Sequence, residues 1–539
     1  MSTLDQPIAN TPLIETPSRP DALAHLTATA AGRWLVPSLS DLFFIALFLW
    51  LFVAGGNGGH GLLADGDIGW HIRTGEFILD RGVVPKTDLF TFTKAGSPWF
   101  AWEWLSDVLF ALAHRAAGLK AIVFIAGVAI VIWCLLLLRQ ALWRGANALA
   151  ALAVTLLAVS AGSIHFLARP HVFTLLFTGI AVWLIESDRK ALSWRVWLMV
   201  PMTALWANLH GGFVMAGALL GLAAAGSLLE SSRPLAARYA ILGALCGAAS
   251  FLNPYGFQLH THILQYLRSD WIRNVVQEFQ APNFRSENQT QYELLLIAGL
   301  MAAALFIARR RYVHALWLIV FAHLSLTTMR HIPLYATIAA PLLAELLTGL
   351  WSQAAERASR QSPVRILRRI ALDLTPGFGR ASLWVPVFVI GFAFLGKAAN
   401  WPTDFPALRF PTALIHRNES RIANGRVLTL DQWADYLIYA FYPRQRVFAD
   451  GRSDFLGQEL GDEYIKVTQG DYNWRKILDR YCADTVLAPV SWPLATLLKS
   501  TSDWRIVEDG GQAILFTRRA ILPACAPDSI VPAASRKTE

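Results

Sequence analysis

Eleven apolar stretches, most of them near the length that crosses a bilayer, restrict this chain to one class of fold. They run at roughly 36–55, 119–138, 146–163, 172–186, 194–208, 213–229, 238–252, 291–307, 312–328, 332–349 and 382–400. About 20 apolar residues in a helix span the hydrocarbon core of a membrane, and a few of these stretches fall short of that. The composition agrees. Of 539 residues, 55% are hydrophobic and 16% charged, against about 45–50% and about 25% in soluble domains. The expected fold is a polytopic α-helical membrane protein of about eleven transmembrane helices. Its nine surplus positive charges need no nucleic acid to account for them.

The basic residues set the expected orientation. With the N-terminal tail (1–35) in the cytoplasm, five short connections bring sixteen basic residues to that side. They are Arg139 and Arg144; Arg189, Lys190 and Arg195; Arg233 and Arg238; Arg309, Arg310 and Arg311; and six arginines from Arg357 to Arg380. Inward-facing positive charge is the rule for such loops. This arrangement requires 103–117 (WLSDVLFALAHRAAG), with Asp107, His114 and Arg115, to be a surface helix rather than a span. Residues 1–34 lack the early apolar core of a cleavable signal, so the first span is expected to remain as an anchor.

The same count puts the C-terminus outside. After the transmembrane domain (36–400, with its first periplasmic loop at 56–118), residues 401–522 read as a small extracytoplasmic α/β domain. RVLTL (426–430), RVFAD (446–450), TVLAPV (485–490), WRIVED (504–509) and QAILFT (512–517) have strand character, while 431–442, 457–468 and 473–481 have helix character. Residues 523–539 form a loose tail. Cys134 and Cys246 fall in apolar spans as packing residues; whether Cys482 and Cys525 are bonded cannot be read from spacing.

The densest polar chemistry lies in the first outer loop, GNGGHGLLADGDIGWHIRTGEFILDRGVVPKTDLFTFTKAGSPWFAWEW (56–104). Asp67 and His71 are four apart and share a face if a helix begins near Asp67. Ile68, Ile72, Gly75 and Ile78 or Leu79 recur at helical spacing, which predicts a helix laid flat on the membrane surface. Asp65 sits in the glycine-rich turn before it. Such groups accept protons or hold a cation; the plain alternative is a solvated loop in which Asp67 caps the helix. The outer ends of later spans add HFLARPH (Arg169, His171), WANLHGG (Asn208, His210), FLNPYG (Asn253, Tyr255), QEFQAPNF (Glu278) and TTMRHIP (Arg330, His331). Singly, each reads as a residue reaching to the interface. Together on one face they suit an anionic, lipid-linked substrate, with arginines on phosphate oxygens and a carboxylate taking a proton. In the C-terminal domain, ADGRSDFLG places Asp450 and Arg452 just past a strand, facing the membrane and the acceptor.

These motifs, with NLHGGF, LNPYG, RHIPLYA and DQWADYLIYAFYPRQRVFADGRSDFLG, carry a resemblance to the GT-C superfamily of membrane glycosyltransferases, and within it to a bacterial group. It extends over most of 36–520. The resemblance implies a polyprenyl-phosphate-linked sugar donor, a glycan, lipid or protein acceptor, and chemistry at the periplasmic face of the inner membrane. It places the first-loop catalytic acid on Asp65 or Asp67, with His71 orienting it. Some members hold a divalent cation between such acids and others use none; here Mg2+ or Mn2+ would fall to Asp65, Asp67 and His71. The chain lacks the WWDYG-type acceptor motif of oligosaccharyltransferases, DQWADY being the nearest segment. Two other classes compete. A flippase for a lipid-linked glycan would carry polar residues through the bilayer and on both faces. A non-catalytic subunit of an envelope polysaccharide assembly system would tolerate loss of the first-loop acids.

Overall fold

The computed structural model describes residues 29–54, 58–286, 289–395, 401–520 and 525. The tails at 1–28 and 526–539 lie outside these. Helices occupy each of the eleven apolar stretches: Leu39–Leu49 continuing to Ala54, Trp104–Trp143, Ala148–Gly162, His171–Lys190, Met199–Leu209, Val214–Leu229, Arg233–Ala249, Gln289–Ala308, Tyr312–Thr327, Ile332–Arg357 and Trp384–Leu395. By length and composition six described helices can cross a membrane, at Trp104–Trp143, Ala148–His165, His171–Lys190, Gly211–Leu229, Gln289–Ala308 and Met329–Arg357. Three more, Leu39–Ala54, Tyr312–Thr327 and Trp384–Phe394, are apolar but shorter.

The segment 103–117 forms a helix of its own: it starts at Trp104 and ends at a kink where Ala117 (φ −152°) and Gly118 (φ 63°) leave helical geometry, and a second, apolar helix continues from there to Trp143. Glycine alone takes that second conformation freely, so the bend falls between the polar part and the apolar part.

Four of the five predicted basic clusters meet at one end of the bundle, each with an arginine against an acid. Arg144 and Arg311 both pair with Glu345, Arg189 pairs with Glu230, and Arg238 with Asp188 at 2.9 Å. The helix His171–Lys190 has Arg189 at that end and His171 at the other. At about 1.5 Å per residue the two ends are some 27 Å apart. His171 and the polar groups around it belong to the far end.

Past residue 401 the chain builds a four-stranded sheet of β1 (Val427–Thr429), β2 (Thr485–Pro489), β3 (Trp504–Asp509) and β4 (Ala513–Arg518), in the order β1-β2-β4-β3. β1 and β2 are parallel and the other pairs antiparallel. Leu428, Val486, Ile514 and Phe516 pack one face of the sheet against Val467, Leu478, Leu494 and Leu498. Cys482 and Cys525 are bonded, with Cα atoms 5.7 Å apart. The expected strand 446–450 is absent. Val447 instead makes isolated bridges to Val427 on one side and to Thr91 of the first loop on the other. Sharing its two edges between single residues leaves no ladder for a strand to extend along.

The first-loop helix, Ile68–Arg81, is not the one-sided amphipathic element its spacing predicts. It is buried on both sides, with Ile68, Trp70, His71, Ile72, Thr74 and Ile78 all enclosed. It is wedged between the start of Trp104–Trp143 and the helix Asp431–Phe441 of the C-terminal segment. Glycines permit the closeness: a methyl at Gly69 would overlap the Asp435 carbonyl, and one at Gly75 the Asp107 carbonyl. Backbone on both partners cannot give way as a side chain can. Gly69→Ala is therefore expected to destabilise the protein by about 1–3 kcal/mol, the cost of overpacking, and to lower its thermal midpoint in detergent. Gly217→Ala, in open space within Val214–Leu229, is expected to hold or raise it, since alanine is the better helix former. Equal midpoints for the two variants would contradict the tight contact.

Candidate functional site

A cavity of about 890 Å3 lies where the helix ends opposite the basic clusters meet the C-terminal segment. Its charged centre is Arg169. The turn HFLARPH brings this side chain in just before the helix His171–Lys190, and three carboxylates from two loops close around it. Asp65 accepts from Nη1 at 3.0 Å and Asp67 sits on Nη2 at 2.6 Å. Glu278 pairs with Nη1 as well. Asp65 also accepts the backbone N–H of Asp67 at 2.9 Å, so the glycine-rich turn aims both acids the same way. Asp67 makes no side-chain cap; its carboxylate is spent on Arg169. Burial favours the neutral form of Glu278, but Arg169 and Arg330 outweigh it and hold Glu278 well below the usual carboxylate range.

Histidines line the next part of the wall. His71 Nδ1 is 2.6 Å from Asp107 Oδ1, and its Nε2 faces Glu103 at 3.6 Å. His210 Nε2 faces the other Glu103 oxygen at 3.5 Å. His171 Nε2 donates to the His165 carbonyl at 2.7 Å, and His331 Nδ1 lies 2.7 Å from the Thr328 hydroxyl. Burial and the nearby arginines keep His71 and His210 neutral, well below the normal imidazole value. Arg330 is held more loosely than Arg169. It lies 3.5 Å from Glu278 and over the Phe279 ring at 4.5 Å, so its N–H donors are not used up.

The C-terminal segment supplies the opposite wall. Asp450 and Arg452 line the cavity beside the first loop. Arg452 is nonetheless 1% exposed, with 2.6 Å contacts to Asp450 and to Asp88 of the first loop, and its guanidinium stacks on Trp99 at 4.4 Å. It latches the two segments together. Behind the lining, Asp435 turns its carboxyl toward Asp67: a methyl at Gly451 would overlap oxygens of both. Burial lifts Asp67 well above the usual range against the pull of Arg169, and burial together with Asp67 lifts Asp435. Two carboxylates this close in a dry setting do not both ionise.

Of the residues singled out in the sequence, Asp65, Asp67, His71, Arg169, His171, His210, Glu278, Arg330, His331, Asp450 and Arg452 line the cavity. Asn208, Asn253 and Tyr255 do not. Asn208 accepts from Trp104 Nε1 and donates to the Leu252 carbonyl, both at 2.8 Å. Asn253 closes its own turn through the Tyr255 N–H, and Tyr255 packs on Phe100. These are loop-forming groups, and polarity at a helix end does not separate the two roles. Glu103 and Asp435 were missed. The lone acid amid the tryptophans of WFAWEW, and the four-residue spacing of Asp431 and Asp435 in DQWADY, were the available signals.

The suggested cation set does not assemble. Arg169 stands between Asp65 and Asp67, His71 turns to Asp107 and Glu103, and among the described residues no three His, Cys, Asp or Glu side chains converge as metal ligands. The residues do not fit Mg2+ or Mn2+.

This fold, a helix bundle whose helix ends form a polar cavity under a C-terminal α/β segment, is shared with solved oligosaccharyltransferases. The archaeal oligosaccharyltransferase AglB from Archaeoglobus fulgidus, solved with an inhibitory peptide and a dolichol-phosphate, is similar over 90% of this chain and 74% of its own, with TM-score 0.57 and 11% identity. The Archaeoglobus fulgidus oligosaccharyltransferase tethered to an acceptor peptide with the NVT sequon gives 0.52 at 11% identity, over 89% of this chain and 73% of its own. Its apo form gives 0.51 at 11%, over 84% and 69%. No protein-family model and no curated protein matches the sequence.

Removing one partner from a buried ion cluster costs about 3–5 kcal/mol, because the charges left behind are unpaired. Arg169→Gln is expected to lower the thermal midpoint in detergent accordingly, with Arg169→Lys recovering part of the loss. An unchanged midpoint for Arg169→Gln would show that the three acids are not held by this group.

Proposed function

We propose that this protein is a glycosyltransferase of the inner (plasma) membrane of a bacterium, moving a sugar from a polyprenyl-phosphate-linked donor to a cell-envelope glycan, lipid or protein. The observation that carries the reading is the cavity itself. Arg330 and the Arg169 cluster adjoin an apolar wall that includes Leu175, Met215, Ile263, Leu324 and Leu334. A phosphate with a prenyl tail needs both surfaces side by side. Arg330, with one distant acid partner, is the phosphate contact; Arg169 is held by its three acids as the fixed positive centre next to it.

In the transfer, an acceptor oxygen bonds to the anomeric carbon as the bond from that carbon to the phosphate oxygen breaks. The electron pair stays on the departing polyprenyl phosphate. A guanidinium at a low-dielectric boundary stabilises that growing charge more than it would in water. Asp65 and Asp67 position Arg169, and a misplacement of about 1 Å costs roughly 100-fold in rate. The double variant Asp65→Asn with Asp67→Asn is expected to lose about that much product per folded protein, with the amount of folded protein measured alongside. The readout is mass spectrometry of envelope glycans and lipid-linked intermediates from cells with and without the gene. Normal product from the double variant would favour the non-catalytic assembly subunit.

The reading also needs the cavity outside, with eleven crossings, a cytoplasmic N-terminus and a periplasmic C-terminal segment. Cysteines placed at the exposed Tyr472 and Arg360 positions test this. An impermeant maleimide is expected to label Tyr472→Cys in spheroplasts, and Arg360→Cys only after the membrane is opened. The reverse pattern would put the cavity on the wrong side of the membrane for this donor.

A further inference from the structure

Glu103 stands apart from the other acids of the cavity. Asp65, Asp67 and Glu278 are committed to Arg169, Asp450 to Arg452, and Asp454 to His262, while Asp431 accepts the backbone N–H of Gln432 at 2.8 Å at the start of its own helix. Glu103 comes immediately before the helix Trp104–Trp143 and faces two imidazoles, one per oxygen. His71 Nε2 is 3.6 Å from one oxygen and His210 Nε2 is 3.5 Å from the other. Both separations exceed a normal N–H···O bond, so each oxygen keeps room to accept from a ligand in the cavity.

The imidazoles are fixed by their other nitrogens. His210 Nδ1 accepts the Gly212 N–H at 2.9 Å and the Thr174 hydroxyl at 2.8 Å, while Thr174 itself accepts from Trp206 Nε1 at 2.8 Å. In a neutral ring this leaves the hydrogen on Nε2, directed at Glu103. His71 shares a hydrogen with Asp107 through Nδ1 at 2.6 Å, which locks the ring with Nε2 toward the other oxygen.

We propose that Glu103 is a catalytic residue of this site, its carboxylate taking the proton of an acceptor hydroxyl, so that the acceptor is an alcohol rather than a carboxamide. The inference rests on the glycosyltransferase reading above. The hydroxyl O–H proton passes to a Glu103 oxygen as the acceptor oxygen bonds to the anomeric carbon; the carbon–phosphate-oxygen bond breaks, and its electron pair leaves with the polyprenyl phosphate. One proton acceptor is enough for a hydroxyl, which has free lone pairs. A carboxamide nitrogen has its lone pair delocalised into the C–N bond, and a single carboxylate does not release it. Burial pushes Glu103 up to about 8, opposed by Arg169 and Arg330 and reinforced by Asp454 and Glu278. A proton acceptor works best when its pKa lies near the working pH.

The test compares membranes from gene-deleted cells carrying the wild-type chain, Glu103→Gln or Glu103→Ala. The product is the envelope glycan that disappears on deletion, and each purified protein is also assayed for binding of decaprenyl phosphate. Both variants are expected to accumulate and to bind decaprenyl phosphate as the wild type does, while product falls by about 100-fold or more. Added formate is expected to restore part of the Glu103→Ala activity, a rescue that a purely structural role would not give. The linkage formed is expected to be O-glycosidic. Product from Glu103→Gln within threefold of wild type, loss of product with no formate rescue, or an N-glycosidic linkage would each overturn the proposal while leaving the transferase reading intact. Unchanged envelope glycans on deletion, with no decaprenyl phosphate binding, would remove both.

Discussion

The enclosure of one guanidinium by three carboxylates is the constraint on which the cavity depends. Arg169 precedes a membrane helix, Asp65 and Asp67 come from the first loop, and Glu278 from a loop more than a hundred residues later. Left alone near a membrane, each would carry a desolvation cost of several kcal/mol. Brought together they offset one another, and doing so draws two loops onto one helix end. Asp67 carries the constraint further, since its carboxyl also meets Asp435 of the C-terminal segment. The arrangement of the site and the docking of the two halves of the chain are therefore one problem with one solution.

That docking uses two different devices. The first-loop helix approaches Asp431–Phe441 through Gly66 and Gly69, whose missing side chains let backbone meet backbone. A few residues on, Arg452 reaches Asp88 with its guanidinium sandwiched between Trp99, Phe90 and Phe455. The first contact specifies distance and the second specifies direction, because a planar cation accepts aromatic faces in few orientations. A cavity wall made of two chain segments needs both to keep its acids in register.

Much of this was legible in the sequence, for identifiable reasons. Apolar stretches and basic clusters report solvent directly, so the positions of the eleven helices and the convergence of Arg144, Arg189, Arg238 and Arg311 at one end follow from them. The break after residue 117 was also marked, by the change from WLSDVLFALAHRAAG to an apolar run. Less could be read where a residue's role depends on what it meets. Asp67 looked like a helix cap or a base, and it is an ion-pair partner. The helix at 68–81 looked amphipathic because the C-terminal helix covering its second face lies more than 350 residues away. RVFAD had strand composition, but a strand also needs a neighbour of matching length. Asn208 and Asn253 shared their helix-end placement with His210 and Arg330, and only geometry separates the loop formers from the cavity groups.

The location of the polar groups follows from what a bilayer allows. A side chain with charge is costly at mid-membrane and cheap at a helix end, so a membrane protein gathers its polar groups at the mouths of its helices. Arg169, His171, His210, Arg330 and His331 all occupy such ends. Helix ends alone, however, would leave those groups in water, where charges are screened and weak. The C-terminal segment supplies the missing wall and with it the low-dielectric setting that shifts Glu103, Asp67 and Asp435 from their ordinary values. Here the small sheet domain closes the cavity and makes its carboxyl groups different from one another.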